Sequence, residues 1–323
     1  MNRPRLPLRR VAPEPRDALA STWRQARPAR IDASLEHALA RDPGGWYVVG
    51  QSTDVRATSV TRTIAGREIV LWRAEGGALR AGPGACPHLG ALLDGCEVTR
   101  GQVRCRWHGM ALDEHTGPSW PAMPALDDGV LLWVRLDTHG ETPSGRPRLA
   151  TRPDLSRSLT AVISRPAVCE PRDIIANRLD PWHGAWFHPY AFSHLEVDES
   201  LSGRDRLVLE VTFQVTGSIG VPVTAGFTCP DARTIVMTIL RGEGEGSVVE
   251  THATPLGSDR LGRPVTMMTE ATIACSPRPG FAVAALAAPL IRPAMRRMAG
   301  RLWVDDLAYA ERLWLLRSRS DPR

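Results

Sequence analysis

The chain contains no lysine and only two asparagines, Asn2 and Asn177, in 323 residues. All 40 basic residues are arginine, a skew that reads as genomic bias rather than chemistry. No stretch reaches the roughly eighteen apolar residues of a membrane-spanning helix. The longest apolar run, residues 281–291, is interrupted by Pro289 and precedes Arg292, Arg296 and Arg297. It reads as a helix capping a cavity, with contact to a membrane surface the lesser expectation. The six cysteines lack the spacing of a disulfide framework. A glycine fingerprint for FAD or NAD is also missing, as is the Cys-x₄-Cys-x₂-Cys of a plant-type ferredoxin. A net charge of +5 would suggest a nucleic-acid partner, but the first thirty residues hold eight arginines against Glu14 and Asp17. The remainder balances 32 arginines against 33 acids, so the basicity is a tail rather than a groove. That tail is proline-rich, which predicts disorder at its start. Arg9-Arg10 has no apolar segment after it, so a twin-arginine export signal is not expected and the reading is a cytoplasmic protein.

Against these absences stand two short loops. Cys86-Pro87-His88 and Cys105-Arg106-Trp107-His108 are separated by sixteen residues. Two thiolates and two imidazoles are the ligands of a Rieske [2Fe–2S] centre, where Cys₂ holds one iron and His₂ the other. A Cys₂His₂ zinc site takes the same donors, but usually places both cysteines on one loop and both histidines on another. Here each loop carries one of each, the Rieske grouping. Glu97, Val98 and Val103 around an Arg100-Gly101 turn predict a hairpin that presents the loops as opposed clips. Their apolar residues would keep water from the cluster. Cys96 has no evident partner in the second loop, and with Cys169, Cys229 and Cys275 it is read as a free thiol.

The stretch of roughly residues 46–140, including HGMALDEHTG after the second loop, resembles the Rieske domain of the ring-hydroxylating oxygenase family. A second motif extends the resemblance. Residues 177–188, NRLDPWHGAWFH, match that family's Asn-x-x-Asp-x-x-His-x₄-His pattern at Asn177, Asp180, His183 and His188. In the family this is a mononuclear iron site, and two histidines with a carboxylate leave open positions for O₂. Five residues of ideal helix turn through about 500°, so His183 and His188 would point some 140° apart. Both can reach one metal only if the helix ends, bulges or kinks, and Pro181 and Gly184 supply the means. Resemblance also makes Asp180 a bridge from an iron-site histidine to a Rieske histidine of a neighbouring subunit. The plainer role of Asp180 is a helix N-cap.

The third ligand must come from elsewhere. Residues 298–316 have a helical period, and Asp306 falls on the stripe of Leu302, Trp303, Tyr309, Ala310 and Leu313. A carboxylate on an apolar stripe needs a metal or a partner, which selects Asp306. Asp305 shares its face with Arg301 and Arg312 and is expected to be solvated; it and Glu311 are the other candidates.

The expected fold class is α+β. After a basic segment, 1–45, come an all-β Rieske domain, 46–150, and a catalytic domain, 151–323. Alternation over residues 207–215, and strands expected at 221–228, 233–241, 246–254 and 264–274, give the last an antiparallel sheet wrapped by helices, similar to the family's helix-grip-like catalytic domain. The resemblance implies a head-to-tail homotrimer and a separate ferredoxin or flavin reductase drawing ultimately on NAD(P)H. It implies a [2Fe–2S] cluster, mononuclear Fe(II) and O₂, used to hydroxylate, demethylate or desaturate a substrate. No arginine can be placed in the cavity from the strand pattern, which favours a neutral, lipophilic ring system: a terpenoid, carotenoid, steroid or aromatic. The alternative is a Rieske electron carrier whose second site holds no iron.

Overall fold

The computed structural model describes residues 9–10, 21–216, 219–278, 280–281 and 286–320. The start of the basic tail and part of the apolar run at 281–291 therefore lie outside the described residues.

The amino-terminal part is built from three small antiparallel sheets. Strand Arg67–Arg73 shows why they form one body: its side chains alternate between two cores. Ile69 and Leu71 join Ile64, Leu132 and Val134 on one side. Val70 and Trp72 join Leu93, Val103, Leu112 and Trp120 beneath the cluster loops. A strand buried on both faces reads as a continuous apolar run, as IVLW does here. The hairpin pairs Glu97–Thr99 with Gln102–Arg104, Val98 opposite Val103, around Arg100 and Gly101, both at positive φ.

The carboxyl-terminal part is dominated by one antiparallel sheet. Strand Leu159–Ala167 forms one edge, followed by Pro264–Ala274, Val248–Ser258, Thr234–Gly242, Ile219–Asp231, Leu207–Thr216 and Phe192–Val197. The edge strands Leu159–Ala167 and Phe192–Val197 were not anticipated. The first runs into SRP, whose side chains are exposed, and the second is broken by a bulge at which His194 takes a positive φ. Neither shows clean alternation. The carboxyl-terminal helix spans Ala288–Ser320, longer than the expected 298–316 and with Pro293 inside it. Its buried Trp303, Leu307 and Ala310 pack on Ile174, Ala253 and Met268. Arg317 pairs with Glu170 and Asp173, which fixes the helix against the shorter helix Pro171–Arg178.

A buried charge network fastens the two parts together. Arg152 donates from Nε and Nη2 to Glu250 at 2.5 and 2.7 Å, and its Nη1 lies 2.8 Å from Asp128 Oδ1. Asp128 also accepts from Trp133 Nε1 at 2.7 Å and from the amides of Val130 and Leu131. Burial works against the Glu250 carboxylate, but Arg152 and His252 outweigh it and hold its pKa down at about 2. The stabilisation is complete above the ordinary carboxylate range and lost as pH falls toward 2. Glu250→Gln should therefore cost about 3 kcal/mol at neutral pH, since Arg152 loses a buried partner. Denaturant titrations should show the gap between variant and wild type closing as the pH drops from about 4.5 toward 2. A gap independent of pH would exclude this ionisation as its source.

Candidate metal centres

The two cysteine loops have nearly the same backbone. The amide of Cys86 donates to Ala91 O at 2.9 Å and that of Cys105 to Met110 O at 2.9 Å. Gly90 closes the first loop on Cys86 O at 2.9 Å, and Gly109 the second on Cys105 O at 2.8 Å. Both glycines sit at positive φ, +76° and +72°, where a side chain would be strained. The loops turn both cysteines inward, buried, and leave His88 and His108 exposed with their rings edge to face, centroids 4.8 Å apart. Burial raises the Cys86 thiol, and neighbouring Cys105 adds to this. For Cys105 burial is outweighed by the amides of Trp107 and His108, the Cys86 thiol and the Arg106 charge, which lower it. Paired thiols beside paired imidazoles fit a [2Fe–2S] cluster. The apolar loop residues do not shield it within the chain: Leu89, Leu92, Trp107 and Met110 are exposed.

The second constellation is assembled from three elements. Helix Pro171–Arg178 delivers Asn177 and ends at Leu179. Asp180 leaves helical geometry, a 3₁₀ turn covers Pro181–His183, and a single α turn covers Gly184–Phe187. The chain exits at His188, with φ −120° and ψ 55°. The expected break is thus an ending of the helix at His188, which brings both imidazoles to one side. Asp306 comes from the long helix. Its Oδ1 lies 2.8 Å from His188 Nε2, 3.2 Å from His183 Nε2, and accepts from Asn177 Nδ2 at 3.3 Å. One donor atom from each of His183, His188 and Asp306 falls within 4.8 Å of the other two. Burial opposes the Asp306 carboxylate, yet both histidines hold it well below the usual range. Burial likewise opposes the His183 imidazolium, but Asp180 and Asp306 push it up to about 9. Two imidazoles and an ionised carboxylate, held against one another in a buried place, fit a divalent cation such as Fe(II).

The partners behind these groups are specific. Asp180 Oδ2 lies 3.6 Å from His183 Nδ1 and accepts from Tyr309 OH at 3.2 Å. Asp180 is positioned as an N-cap but makes no capping bond. Its Oδ1 and His183 Nδ1 are buried without hydrogen-bond partners among the described residues. A surface groove walled by Trp23, Ala26, Trp182 and Trp186 runs down to them.

Two expectations need correction. Asp305 keeps 35% of its side chain exposed but is more than a loosely paired member of an arginine face. Its Oδ2 accepts from Tyr190 OH at 2.7 Å and lies 3.5 Å from His188 Nδ1, while Arg301 stacks on the Tyr190 ring at 3.7 Å. Adjacent helix positions differ by about 100°, and Tyr190 spans that gap, so both aspartates serve one histidine. Glu311 is elsewhere, accepting from the Val168 amide. Secondly, the cavity that opens on His183, His188 and Asp306 does contain an arginine, Arg178. Its volume is about 260 Å³ and its walls are mostly apolar, with Phe192, Val211, Phe213, Met237, Met298 and Leu302 among them. The sheet and the long helix form it. None of its described lining residues comes from the apolar run at 281–291.

Comparison with known proteins follows this geometry. Residues 45–130 match the Rieske [2Fe-2S] domain. The chain is similar to the oxygenase component of chloroacetanilide N-alkylformylase of Rhizorhabdus wittichii, 27% identical over 46% of this chain and 47% of that protein. It is also similar to cholesterol 7-desaturase of Caenorhabditis elegans, 25% identical over 46% of this chain and 39% of that one. The chain thus spans about half or less of these curated relatives. Among solved structures, dicamba monooxygenase bound to dicamba superposes with a TM-score of 0.64 at 17% identity, covering 86% of this chain and 88% of that one. The fold is that of the Rieske-type terminal oxygenases. The chain belongs to the family defined by a domain of unknown function, DUF5914, which matches residues 138–321.

The two aspartates should behave differently on substitution. Asp306→Ala removes a donor and should abolish retention of mononuclear metal, measured by metal analysis after desalting. Asp305→Ala leaves all three donors and removes the support of His188, so metal affinity should fall about tenfold. Equal metal retention by both variants would contradict this division of roles.

Proposed function

We propose that the protein is the terminal oxygenase of a multicomponent system. It would use O₂ and electrons ultimately from NAD(P)H to hydroxylate, demethylate or desaturate a lipophilic, ring-bearing substrate. The observation that carries the reading is the His183, His188 and Asp306 cluster at one end of an apolar cavity, in a chain that also carries the cluster loops. Residues 46–150 would be the electron relay and 151–323 the catalytic unit.

Cys86, Cys105, His88 and His108 would hold the [2Fe–2S] cluster, and His183, His188 and Asp306 would hold iron. Iron bound there would supply one-electron chemistry and open positions for O₂. The chain's own contribution is placement. Asp180 and Tyr309 orient His183, and Asp305 and Tyr190 orient His188. Asn177 donates to Asp306 and keeps its carboxylate aligned. Apolar walls exclude water from the substrate's reacting carbon.

Asp180 Oδ1 and the groove above it support a bridging role. An exposed imidazole such as His88 or His108 of a second copy, entering past Trp23 and Trp186, would donate to that oxygen. Asp180 would then join two imidazoles, one from each centre, and such docking is compatible with a head-to-tail homotrimer. The reductant would be a separate ferredoxin or flavin reductase, since the sequence has no flavin or nicotinamide fingerprint. No described helix is long and apolar enough to cross a membrane, and a cytoplasmic setting suits the four free thiols outside the cluster loops. Similarity to a protein named for cholesterol supports a lipophilic ring system.

Metal analysis separates this reading from an electron carrier. Two irons come from the cluster and one from the mononuclear site, so protein reconstituted with Fe(II) should hold about three per chain; two would leave only the carrier. Asp180→Asn should keep all the iron yet slow cluster oxidation by O₂ strongly when substrate is present, because the charged bridge is lost. A wild-type rate in rapid-mixing spectra would remove Asp180 from the electron route.

A further inference from the structure

One charged group in the cavity has no part in holding metal. Arg178 is the last residue of helix Pro171–Arg178, next to Asn177, and lines the same cavity as His183, His188 and Asp306. Its guanidinium lies over two aromatic faces, 5.6 Å from the Phe227 centroid and 5.8 Å from that of Trp303. Such stacking fixes the plane of the cation but satisfies none of its five N–H donors. Nε is buried without a hydrogen-bond partner, and the side chain forms no ion pair among the described residues. Two other arginines packed near this sheet have carboxylate partners instead: Arg152 has Glu250 and Asp128, and Arg233 has Glu141.

Glu270, which lines the same cavity, does not complete Arg178. Glu270 Oε2 accepts from Trp303 Nε1 at 2.8 Å, and no contact with Arg178 brings the two within ion-pair distance. Burial pushes the Glu270 carboxyl up, with the Arg178 charge and the Trp303 bond opposing. An apolar chamber thus contains a cation whose donors are unspent.

We infer that Arg178 is a specificity-determining anchor for a carboxylate, or a similar anionic oxygen group, at one end of an otherwise apolar ring-bearing substrate. The planar guanidinium fork matches a carboxylate with two parallel hydrogen bonds. Phe213, Met237, Val249 and Leu302 receive the hydrocarbon body, which directs the far end of the molecule to His183, His188 and Asp306. The inference rests on reading the cavity as a substrate chamber, and it refines the expected neutral substrate to an amphiphilic one.

Binding rather than turnover tests it. The iron-loaded protein would be titrated calorimetrically with 4-cyclohexylbenzoate and, separately, with 4-cyclohexylbenzyl alcohol. Wild type should bind the carboxylate at least about tenfold more tightly, the order of a charge-assisted hydrogen bond. Arg178→Met keeps length and apolar bulk while removing the donors. It should lose that preference and leave affinity for the alcohol within about threefold of wild type, and Arg178→Lys should restore part of it. The visible spectrum of the [2Fe–2S] cluster and the iron content serve as controls for folding. The anchor is overturned if wild type fails to bind the carboxylate, if it binds both probes equally, or if Arg178→Met retains the preference. Failure of the oxygenase reading is distinguishable, because it shows as two irons per chain whatever the probes do.

Discussion

The second site depends on one oxygen atom. Asp306 Oδ1 is approached by His183, His188 and Asn177, and a buried carboxylate in such company stays ionised only because those donors outweigh its desolvation. Much of the carboxyl-terminal architecture serves to put that atom there. Trp303, Leu307 and Ala310 seat the long helix, Arg317 locks its far end, and the early termination of the motif helix swings His188 round to meet it. The cavity is the space that remains between this helix and the sheet.

The two candidate metal clusters were legible in the sequence because they depend on spacing along short segments. Cys86, His88, Cys105 and His108 lie on two tight loops, and Asp180, His183 and His188 on one stretch whose Pro181 and Gly184 announce a break. Asp306 could be separated from Asp305 by helical phase, since Trp303 and Ala310 share its face. Strand alternation likewise located the inner strands of the sheet. Less legible were features set by long-range packing. The edge strand Leu159–Ala167 has three exposed residues and a proline, so its pattern is that of a loop. Asp305 looked solvent-facing because Arg301 and Arg312 are its helical neighbours, and nothing local shows that Tyr190 reaches across to it. Arg178 was hidden for a similar reason. Helix Pro171–Arg178 is buried at Asp173, Ile174, Ile175, Ala176 and Asn177, so periodicity gives it no solvent face against which an inward arginine would stand out.

Stability and chemistry use the same kind of interaction in separate places. Arg152, Glu250 and Asp128 form a closed set in which every charge has its partner, and the result is a rigid junction. Asp180, His183 and Arg178 form an open set, each with a buried polar atom that finds no hydrogen-bond partner among the described residues. The closed set holds the fold together, whereas the open one faces the groove and the cavity.

The junction closed by Arg152 has a kinetic consequence. Buried ion pairs that tie the amino-terminal part to the sheet would oppose its swinging toward an acceptor. Delivery of reducing equivalents between centres would then be governed by encounter and docking of surfaces, and diluting the protein below the dissociation constant of that encounter would disconnect two otherwise intact halves of one circuit.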